Sequence, residues 1–171
     1  MTAYKLKANE SHPVQSVRDL FTQLLEKEVD YIFLPGRSPY SKLPMPMLIS
    51  DSALLDTTEP LAPAMPFNSA KQASSVLKTD AGKKIAFLLK PCEKRALVEL
   101  EKLCQCSLDN ALVITADCGG RFENSTYLDL IDGQPDLAQS LLEKNSSPEQ
   151  LSPSCTVCTQ FTDEGSDIHI N

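Results

Sequence analysis

The feature that most restricts how this chain can fold is a strand, a helix and a second strand in direct succession. Apolar runs at 84–89 and 111–115 are typical of buried strands, and the apolar residues of 91–103 between them have helical spacing. A connection of this length joins parallel strands, which cannot be linked by a hairpin. We therefore predict an α/β fold with a small, mainly parallel sheet and a βαβ unit flanked by helices, followed by a loop-rich C-terminal CxxC segment.

The predicted connecting helix has an apolar side and a charged side. Its apolar face is expected to comprise Ala96, Leu97, Leu100 and Leu103. The side chains expected to face water are Glu93, Lys94, Glu99, Glu101 and Lys102. A helix with this pattern packs one face on a sheet and leaves the other in solvent.

The chain before this unit supplies further elements. Apolar residues recur at helical spacing over 13–28, and 31–34 is predicted to be a buried strand that a proline–glycine pair ends. The proline-rich passage 35–66 favours extended or turning backbone, with one short strand at 47–49. A second helix is predicted over 68–78.

Length and charge limit the domain organisation and the partners. The 171 residues are expected to form one α/β domain over 1–171, with an N-terminal helix in 1–30, the core in 31–145 and the CxxC segment in 146–171. The net charge of −7 argues against nucleic acid or an anionic membrane as a partner. No apolar stretch reaches the roughly 20 residues of a membrane span, and no apolar signal region follows the first lysines. A cytoplasmic location is therefore expected.

Four of the six cysteines occupy positions that are typical of a binding site. Cys92 follows the first strand of the βαβ unit, Cys118 follows the second, and Cys155 and Cys158 form the CxxC. Parallel strands end at the same edge of a sheet, about 4.8 Å apart, and ligands of open α/β sheets commonly bind there. A single site for four thiolates is therefore predicted at this edge.

The residues around the first of these cysteines favour a reactive thiolate. Pro91 as the first helical residue would place Cys92 in the first turn, near free backbone N–H groups. The helix dipole and the nearby Lys90, Lys94 and Arg95 are expected to lower the pKa of this thiol.

Two glycines, Gly119 and Gly120, directly follow Cys118. Without side chains there, the backbone could approach a cluster or a phosphate closely. The four thiolates themselves suit an iron–sulfur cluster or a structural zinc ion, and the residues leave this choice open.

The remaining candidates have plainer interpretations. A redox pair within the CxxC is disfavoured, because such a motif normally opens a helix and 159–163 have poor helix propensity. Cys104 and Cys106 are expected to be small core residues. His12 and His169 are expected to be structural or surface residues. We find no catalytic triad or carboxylate pair.

Several short motifs, taken in order, resemble one family. They are Met65-Pro-Phe-Asn-Ser-Ala-Lys71, Leu89-Lys-Pro-Cys-Glu-Lys-Arg-Ala96, Ala116-Asp-Cys-Gly-Gly120, Cys155-Thr-Val-Cys158 and Ser166-Asp-Ile168. Together they resemble the N-terminal part of the coenzyme F420 hydrogenase/dehydrogenase beta-subunit family. The resemblance implies an FAD-containing electron-transfer subunit with a 4Fe–4S cluster. Its members use F420 as a redox partner and work with other subunits of hydrogenase or formate dehydrogenase complexes.

The resemblance also implies roles for individual residues. The cluster ligands would be Cys92, Cys118, Cys155 and Cys158. Flavin phosphate would bind at the helix start formed by Asn68 and Ser69, with Lys71 behind it, because a helix N-terminus attracts anions. The alternative is that Asn68 is an ordinary helix cap. The other candidate cofactor contacts are Lys90, Gly119 and Gly120.

Members of this family usually extend beyond the Ser-Asp-Ile motif, whereas this sequence stops at Asn171. Ile168 and Ile170 alternate like a strand that needs partners. We expect an excised domain or a short variant that relies on another subunit.

Overall fold

The computed structural model describes residues 12–79, 82–131, 151–163 and 165–171. Within these ranges the chain forms a five-stranded sheet with helices on both faces. The helices are α1 (Pro13–Lys27), α2 (Ala70–Thr79), α3 (Pro91–Lys102), α4 (Asn124–Ile131) and α5 (Pro153–Thr156), with a 3-10 helix at Ser52–Thr57. The strands are β1 (Tyr31–Ser38), β2 (Ser41–Ile49), β3 (Ile85–Leu89), β4 (Ala111–Ala116) and β5 (Ile168–Ile170).

The sheet is mainly parallel and has the strand order β2-β1-β3-β4-β5. Only the β1–β2 pair is antiparallel, whereas β1–β3, β3–β4 and β4–β5 are parallel. The β3–α3–β4 unit forms where it was predicted, so the prediction of an α/β fold with a βαβ unit is confirmed. The last residues of β3, β4 and β5 form one edge of the sheet, which we call the carboxyl edge.

Alternating side chains of the strands build an apolar cluster on each face of the sheet. One cluster joins Leu88 of β3 to Phe21 of α1. The other joins Phe87 of β3 to Ala73 of α2 and Leu97 of α3. All of β3 is buried, because it lies between two strands and is covered on both faces. This packing fixes α3, and therefore its first turn, relative to the carboxyl edge.

The predicted apolar face of α3 is correct except at its end. Leu97 is fully buried, and Ala96 and Leu100 pack beside it. Leu103 is 68% exposed, because α3 ends before it and the next residue, Cys104, turns the chain with a φ of 55°.

The proline-rich passage is more regular than predicted. β1 continues past Pro35 to Ser38, and β2 is nine residues long instead of the short strand expected at 47–49. Pro35 faces Pro46 in the β1–β2 pair, beyond the last contact between β1 and β3 at Phe33. The missing proline N–H groups therefore interrupt no ladder on the β3 side, and β2 is an edge strand, where proline is tolerated.

Helix length and composition also bear on membranes. In the ranges that the structure describes, no helix is both long and apolar enough to cross a bilayer.

Candidate functional site

Cys92 is the second residue of α3 and lies directly after β3, as predicted. The residue is exposed as a whole, yet partial desolvation of its sulfur raises the pKa of the Cys92 thiol. Electrostatic interactions with Glu93 and Cys118 act in the same direction, whereas Lys90 and Arg95 act to lower this pKa and do not outweigh the rest. The expectation of a lowered thiol pKa is therefore wrong. Cys92 follows β3 and Cys118 follows β4, so both lie at the carboxyl edge.

Glu93 joins the starts of α2 and α3. Its Oε2 accepts a hydrogen bond from the Lys90 N–H at 2.9 Å, and its Oε1 accepts one from the Ser69 N–H at 3.1 Å. The first bond caps α3, and the second connects it to the residue before α2. Glu93 is only 4% exposed, so its predicted position in water is wrong. The reason is that two helix starts converge on this carboxylate.

The loop after β4 brings Cys118 close to the C-terminal part of the chain. A Cβ atom on Gly119 would have open space around it, whereas one on Gly120 would lie 3.0 Å from two methyl carbons of Leu151 and 3.6 Å from Cβ of Cys155. Gly120 also has a φ of 101°, which favours glycine. Gly120 therefore lets the chain around Leu151 and Cys155 pack closely on the β4 loop, while the predicted approach of this backbone to a cluster or a phosphate stays a prediction.

Residues 151–163, the part of the CxxC segment that holds its cysteines, are attached to the β4 loop on both sides of those cysteines. Before them, the Ser152 N–H donates to the Arg121 carbonyl at 2.8 Å. After them, the Phe161 carbonyl accepts from the Cys118 N–H at 2.9 Å. The four residues of α5 end before Cys158, and 158–163 have no regular structure.

Lys94 and Arg95 reach from α3 to the same segment. Lys94 Nζ lies 3.1 Å from Oδ2 of Asp163 and 3.4 Å from the Gly165 carbonyl oxygen. Both Nη atoms of Arg95 lie 3.3 Å from the Gln160 carbonyl oxygen. Lys94 was expected to face water and to act on Cys92, and that prediction is wrong because its ammonium group pairs with Asp163 instead.

Three segments carry the thiols of interest: the first turn of α3 with Cys92, the loop after β4 with Cys118, and the CxxC segment with Cys155 and Cys158. These three thiol-bearing segments are therefore in contact at the carboxyl edge, but their sulfurs do not form a compact group. All six cysteines are free. Among the described residues, no three His, Cys, Asp or Glu side chains lie close enough together to hold a metal ion. The backbone geometry fits the predicted convergence, while the assignment of ligands stays a prediction.

The two other cysteines differ from one another. Cys106 packs against the cluster between α2, α3 and the sheet, as expected of a small core residue. Cys104 is exposed, so the same expectation is wrong for it. Its φ of 55° belongs to the turn that ends α3, where glycine is usual.

The start of α2 combines an ordinary cap with unpartnered polar atoms. Asn68 Oδ1 accepts a hydrogen bond from the Ala70 N–H at 3.0 Å, as in a helix cap. Ser69 is 2% exposed, and its Oγ has no hydrogen-bond partner within the described residues. Lys90 Nζ is likewise sealed from solvent and unpartnered there. Lys71 is exposed in the first turn of α2.

A polar network at the end of β4 was not anticipated from the sequence. Thr115 Oγ1 lies 2.6 Å from Oγ of Ser166 and 3.2 Å from Nδ1 of His169. The other ring nitrogen, Nε2, lies 3.2 Å from Oδ1 of Asp117. The network attaches β5 to β4 beside Cys118, which agrees with a structural role for His169. The available signal was Asp117 and Ser166, which are polar residues inside two of the family-like motifs.

A cavity of about 520 Å³ lies apart from these residues. Its walls are Arg18, Arg37, Ser38, Pro39, Asp56 and Thr57, and none of them is a predicted site residue. Arg18 donates to the Thr58 carbonyl and Arg37 pairs with Glu59. The two guanidinium groups of this cavity therefore already have protein partners.

Two curated proteins resemble this chain, although no protein-family model matches it. It is 35% identical over 118 residues to the F420-dependent formate dehydrogenase subunit beta of Methanocaldococcus jannaschii, which is 68% of this chain and 30% of that protein. It is 46% identical over 48 residues to the F420-dependent formate dehydrogenase 1 subunit beta of Methanococcus maripaludis, which is 28% of this chain and 12% of that protein. The chain thus spans less than a third of the length of these relatives.

A solved structure with a similar arrangement is a chain of the F420-reducing NiFe hydrogenase complex from Methanosarcina barkeri, studied by xenon derivatization. The TM-score is 0.46 at 16% identity, covering 68% of this chain and 41% of that one. The curated matches confirm the family resemblance: over the matched residues, this chain is related to the beta subunits of F420-dependent enzymes.

Proposed function

We propose that this chain is the cluster-binding part of an electron-transfer subunit in a cytoplasmic F420-dependent oxidoreductase complex. Its relatives are named as beta subunits of F420-dependent formate dehydrogenases. In this proposal the chain works with other subunits and carries electrons between them and a redox small molecule, F420. The observation that carries the proposal is the contact among three thiol-bearing segments at the carboxyl edge.

The thiols fit the donor set of a 4Fe–4S cluster, which takes four cysteine thiolates. The ligands would be Cys92, Cys118, Cys155 and Cys158, all of which are free thiols. When bound, the cluster would supply a carrier for single electrons. Because no three metal-binding side chains of the described residues form a compact group, ligation includes a local rearrangement of these thiols.

Other residues at the carboxyl edge would influence the reduction potential of a bound cluster and the space that is available to it. Lys90, at the start of α3, acts to lower the pKa of the Cys92 thiol, although desolvation and neighbouring acidic groups outweigh it. The open space beside Gly119 leaves room for a bound group next to Cys118. Nearby charges, hydrogen bonds and exposure to solvent are the features by which a protein sets the potential of an iron–sulfur site.

FAD is the second cofactor of the proposal, and two unpartnered polar atoms support it: Oγ of Ser69, just before α2, and Nζ of Lys90, just before α3. Ser69 Oγ and Lys90 Nζ could donate to a flavin phosphate, and Lys71 adds charge nearby. The N–H groups of Ser69 and Ala70 are already bound, to Glu93 and Asn68. Side chains, rather than these two N–H groups, would therefore provide the phosphate contacts. Bound flavin would supply exchange between electron pairs and single electrons.

Structural zinc is the second candidate for the thiol site. Zinc also takes four thiolates, and four free thiols on three contacting segments suit an ion that holds those segments together. In that case the chain would be a non-catalytic interaction domain. Its zinc would stabilise the fold and would be removed by chelators.

The test is anaerobic reconstitution with iron and sulfide, followed by analysis of iron, sulfide and zinc. We expect about four irons and four sulfides per chain, as a 4Fe–4S cluster requires. Cys92→Ser, Cys118→Ser and Cys155→Ser should each lose most of this iron. Cys104→Ser is the matched control, because Cys104 is exposed and free but lies outside the family-like motifs.

Two results would contradict the cluster assignment. One is retention of a single zinc ion in the presence of iron and sulfide, which would favour the interaction domain. The other is equal loss of iron in the Cys104→Ser control and in the three variants.

A further inference from the structure

We propose that Lys94 and Arg95 are positioning residues that hold the CxxC segment against the first turn of α3, and thus beside Cys92. The proposal rests on the four-thiol site proposed above and deepens it. Neither side chain is a ligand; each acts on the site through the segment that it binds.

The contact of Lys94 is a shielded ion pair. Its Nζ lies 3.1 Å and 3.3 Å from the two carboxylate oxygens of Asp163. The side chains are only 19% and 13% exposed, respectively. Asp163 is itself held in place, because its Oδ1 accepts the Gly165 N–H at 2.9 Å. A shielded pair with these extra hydrogen bonds fixes a position better than an exposed pair of flexible side chains does.

Arg95 provides a second contact with the same segment. Its two Nη atoms are both 3.3 Å from one oxygen, the carbonyl of Gln160. Gln160 and Asp163 both follow Cys158 within the CxxC segment, so the two contacts fall on the same side of the cysteines. The opposite side of the cysteines is attached to the β4 loop through Ser152.

The segment needs such contacts because it has little structure of its own. Residues 158–163 are in no helix or strand, and the exposed fraction of Phe161 is 56%. By contrast, α3 is fixed by Leu97, which is fully buried against the sheet. Cys92, Lys94 and Arg95 share the first turns of this helix. The rigid helix therefore carries one candidate ligand together with the two residues that hold the other segment.

Thiol cross-linking of the chain purified with a chelator tests the proposal without any cofactor. A short bis-maleimide should link Cys92 to Cys155 or Cys158, and peptide mass spectrometry identifies the linked pair. We expect the yield to fall several-fold in a variant with Lys94→Met and Arg95→Met. Lys102→Met is the matched control, because Lys102 lies on the same helix in an exposed pair with Glu99 and should leave the yield unchanged.

Two further variants separate positioning from loss of the fold. Lys94→Arg should keep the parent yield, and the exchange Lys94→Asp with Asp163→Lys should recover most of it. Thermal unfolding of each variant verifies that the chain is folded. A parent chain without this cross-link, or a Lys94→Met, Arg95→Met variant with the parent yield, would overturn the proposal.

The same variants distinguish this proposal from the proposed function. If the cross-linking results hold but the parent binds neither iron nor zinc, the positioning role stands and the thiol site is wrong. If the parent does bind a cluster, the reconstituted Lys94→Met, Arg95→Met variant should differ from the reconstituted parent in the midpoint potential and the electron paramagnetic resonance spectrum of that cluster. An unchanged spectrum and potential in that variant would overturn the positioning role.

Discussion

The two ends of helix α3 carry similar charged residues but use them differently. At the first turns, Glu93 binds the residue before α2, whereas Lys94 and Arg95 bind the CxxC segment. At the last turn, Lys102 pairs with Glu99 of its own helix, and both side chains are about two-thirds exposed (64% and 65%). The residues of the first turns connect segments that are distant in sequence, whereas the Lys102–Glu99 pair lies on the surface and connects only neighbouring turns of one helix.

The position of each end in the fold explains the difference. The first turn lies at the carboxyl edge, where several segments meet. At the other end the backbone closes on itself: the Cys104 N–H donates to the Glu101 carbonyl and the Gln105 N–H donates to the Leu100 carbonyl. This is a common way to finish a helix. Charge pattern alone therefore does not reveal which end of a helix binds other elements.

The largest expected difference between the two ends is in the free energy of unfolding when a glutamate at each end is replaced by the neutral glutamine. Glu93→Gln should lower the free energy of unfolding by about 1–3 kcal/mol, because an amide nitrogen would then face one of two buried N–H groups. Glu99→Gln, the control at the exposed end, should change it by less than about 0.5 kcal/mol. Urea unfolding of both variants measures these values, and equal effects would contradict the comparison.

A smaller effect is expected from acid. Desolvation acts to raise the pKa of Asp163, but the Gly165 N–H and Lys94 hold it below its ordinary value. A carboxyl with a lowered folded-state pKa stabilises the fold at neutral pH, and this stabilisation disappears as pH falls through that pKa. The difference in unfolding free energy between the parent and Asp163→Asn should therefore shrink towards zero in acid. A difference that stayed constant from neutral to acidic pH would count against the ion pair.

The smallest effect should come from the far end, and it has the opposite sign. Cys104→Gly should raise the free energy of unfolding by roughly 0.5 kcal/mol, because glycine adopts a positive φ without strain. Cys104→Ala, which keeps the Cβ atom, should not stabilise the chain. Chemical denaturation of the two variants compares them directly, and an unstable glycine variant would show that the thiol has a contact of its own.

Regular patterns allowed much of the fold to be predicted. The apolar runs of β3 and β4 and the spacing around Leu97 were enough for the βαβ unit. The rule that parallel strands end together then predicted that Cys92 and Cys118 lie at the same edge of the sheet. These features depend on local periodicity and on one rule of topology, both of which can be derived from a single sequence.

The features that could not be predicted depend on partners that are distant in sequence. The buried carboxylate of Glu93 accepts a hydrogen bond from the Ser69 N–H, and nothing near Glu93 in the sequence indicates this partner. Pro35 remains in a strand because β3 no longer pairs with β1 at that point. The desolvation that raises the pKa of Cys92 likewise comes from tertiary packing. Local charge predicted an exposed Glu93 and a lowered pKa for Cys92, and local propensity predicted that the strand ends at Pro35. Each of these predictions was the opposite of what the structure has.

The wide separation of the thiol-bearing segments along the chain has a consequence for the order of folding. The β3–α3–β4 unit can form early, since its contacts are local, whereas the CxxC segment must close a long loop before it docks. It should be the last part to dock and the first to detach on heating. Any ligand that binds all three segments at once would bind after the CxxC segment has docked. It would therefore stabilise the docked state and delay unfolding most at this edge of the molecule.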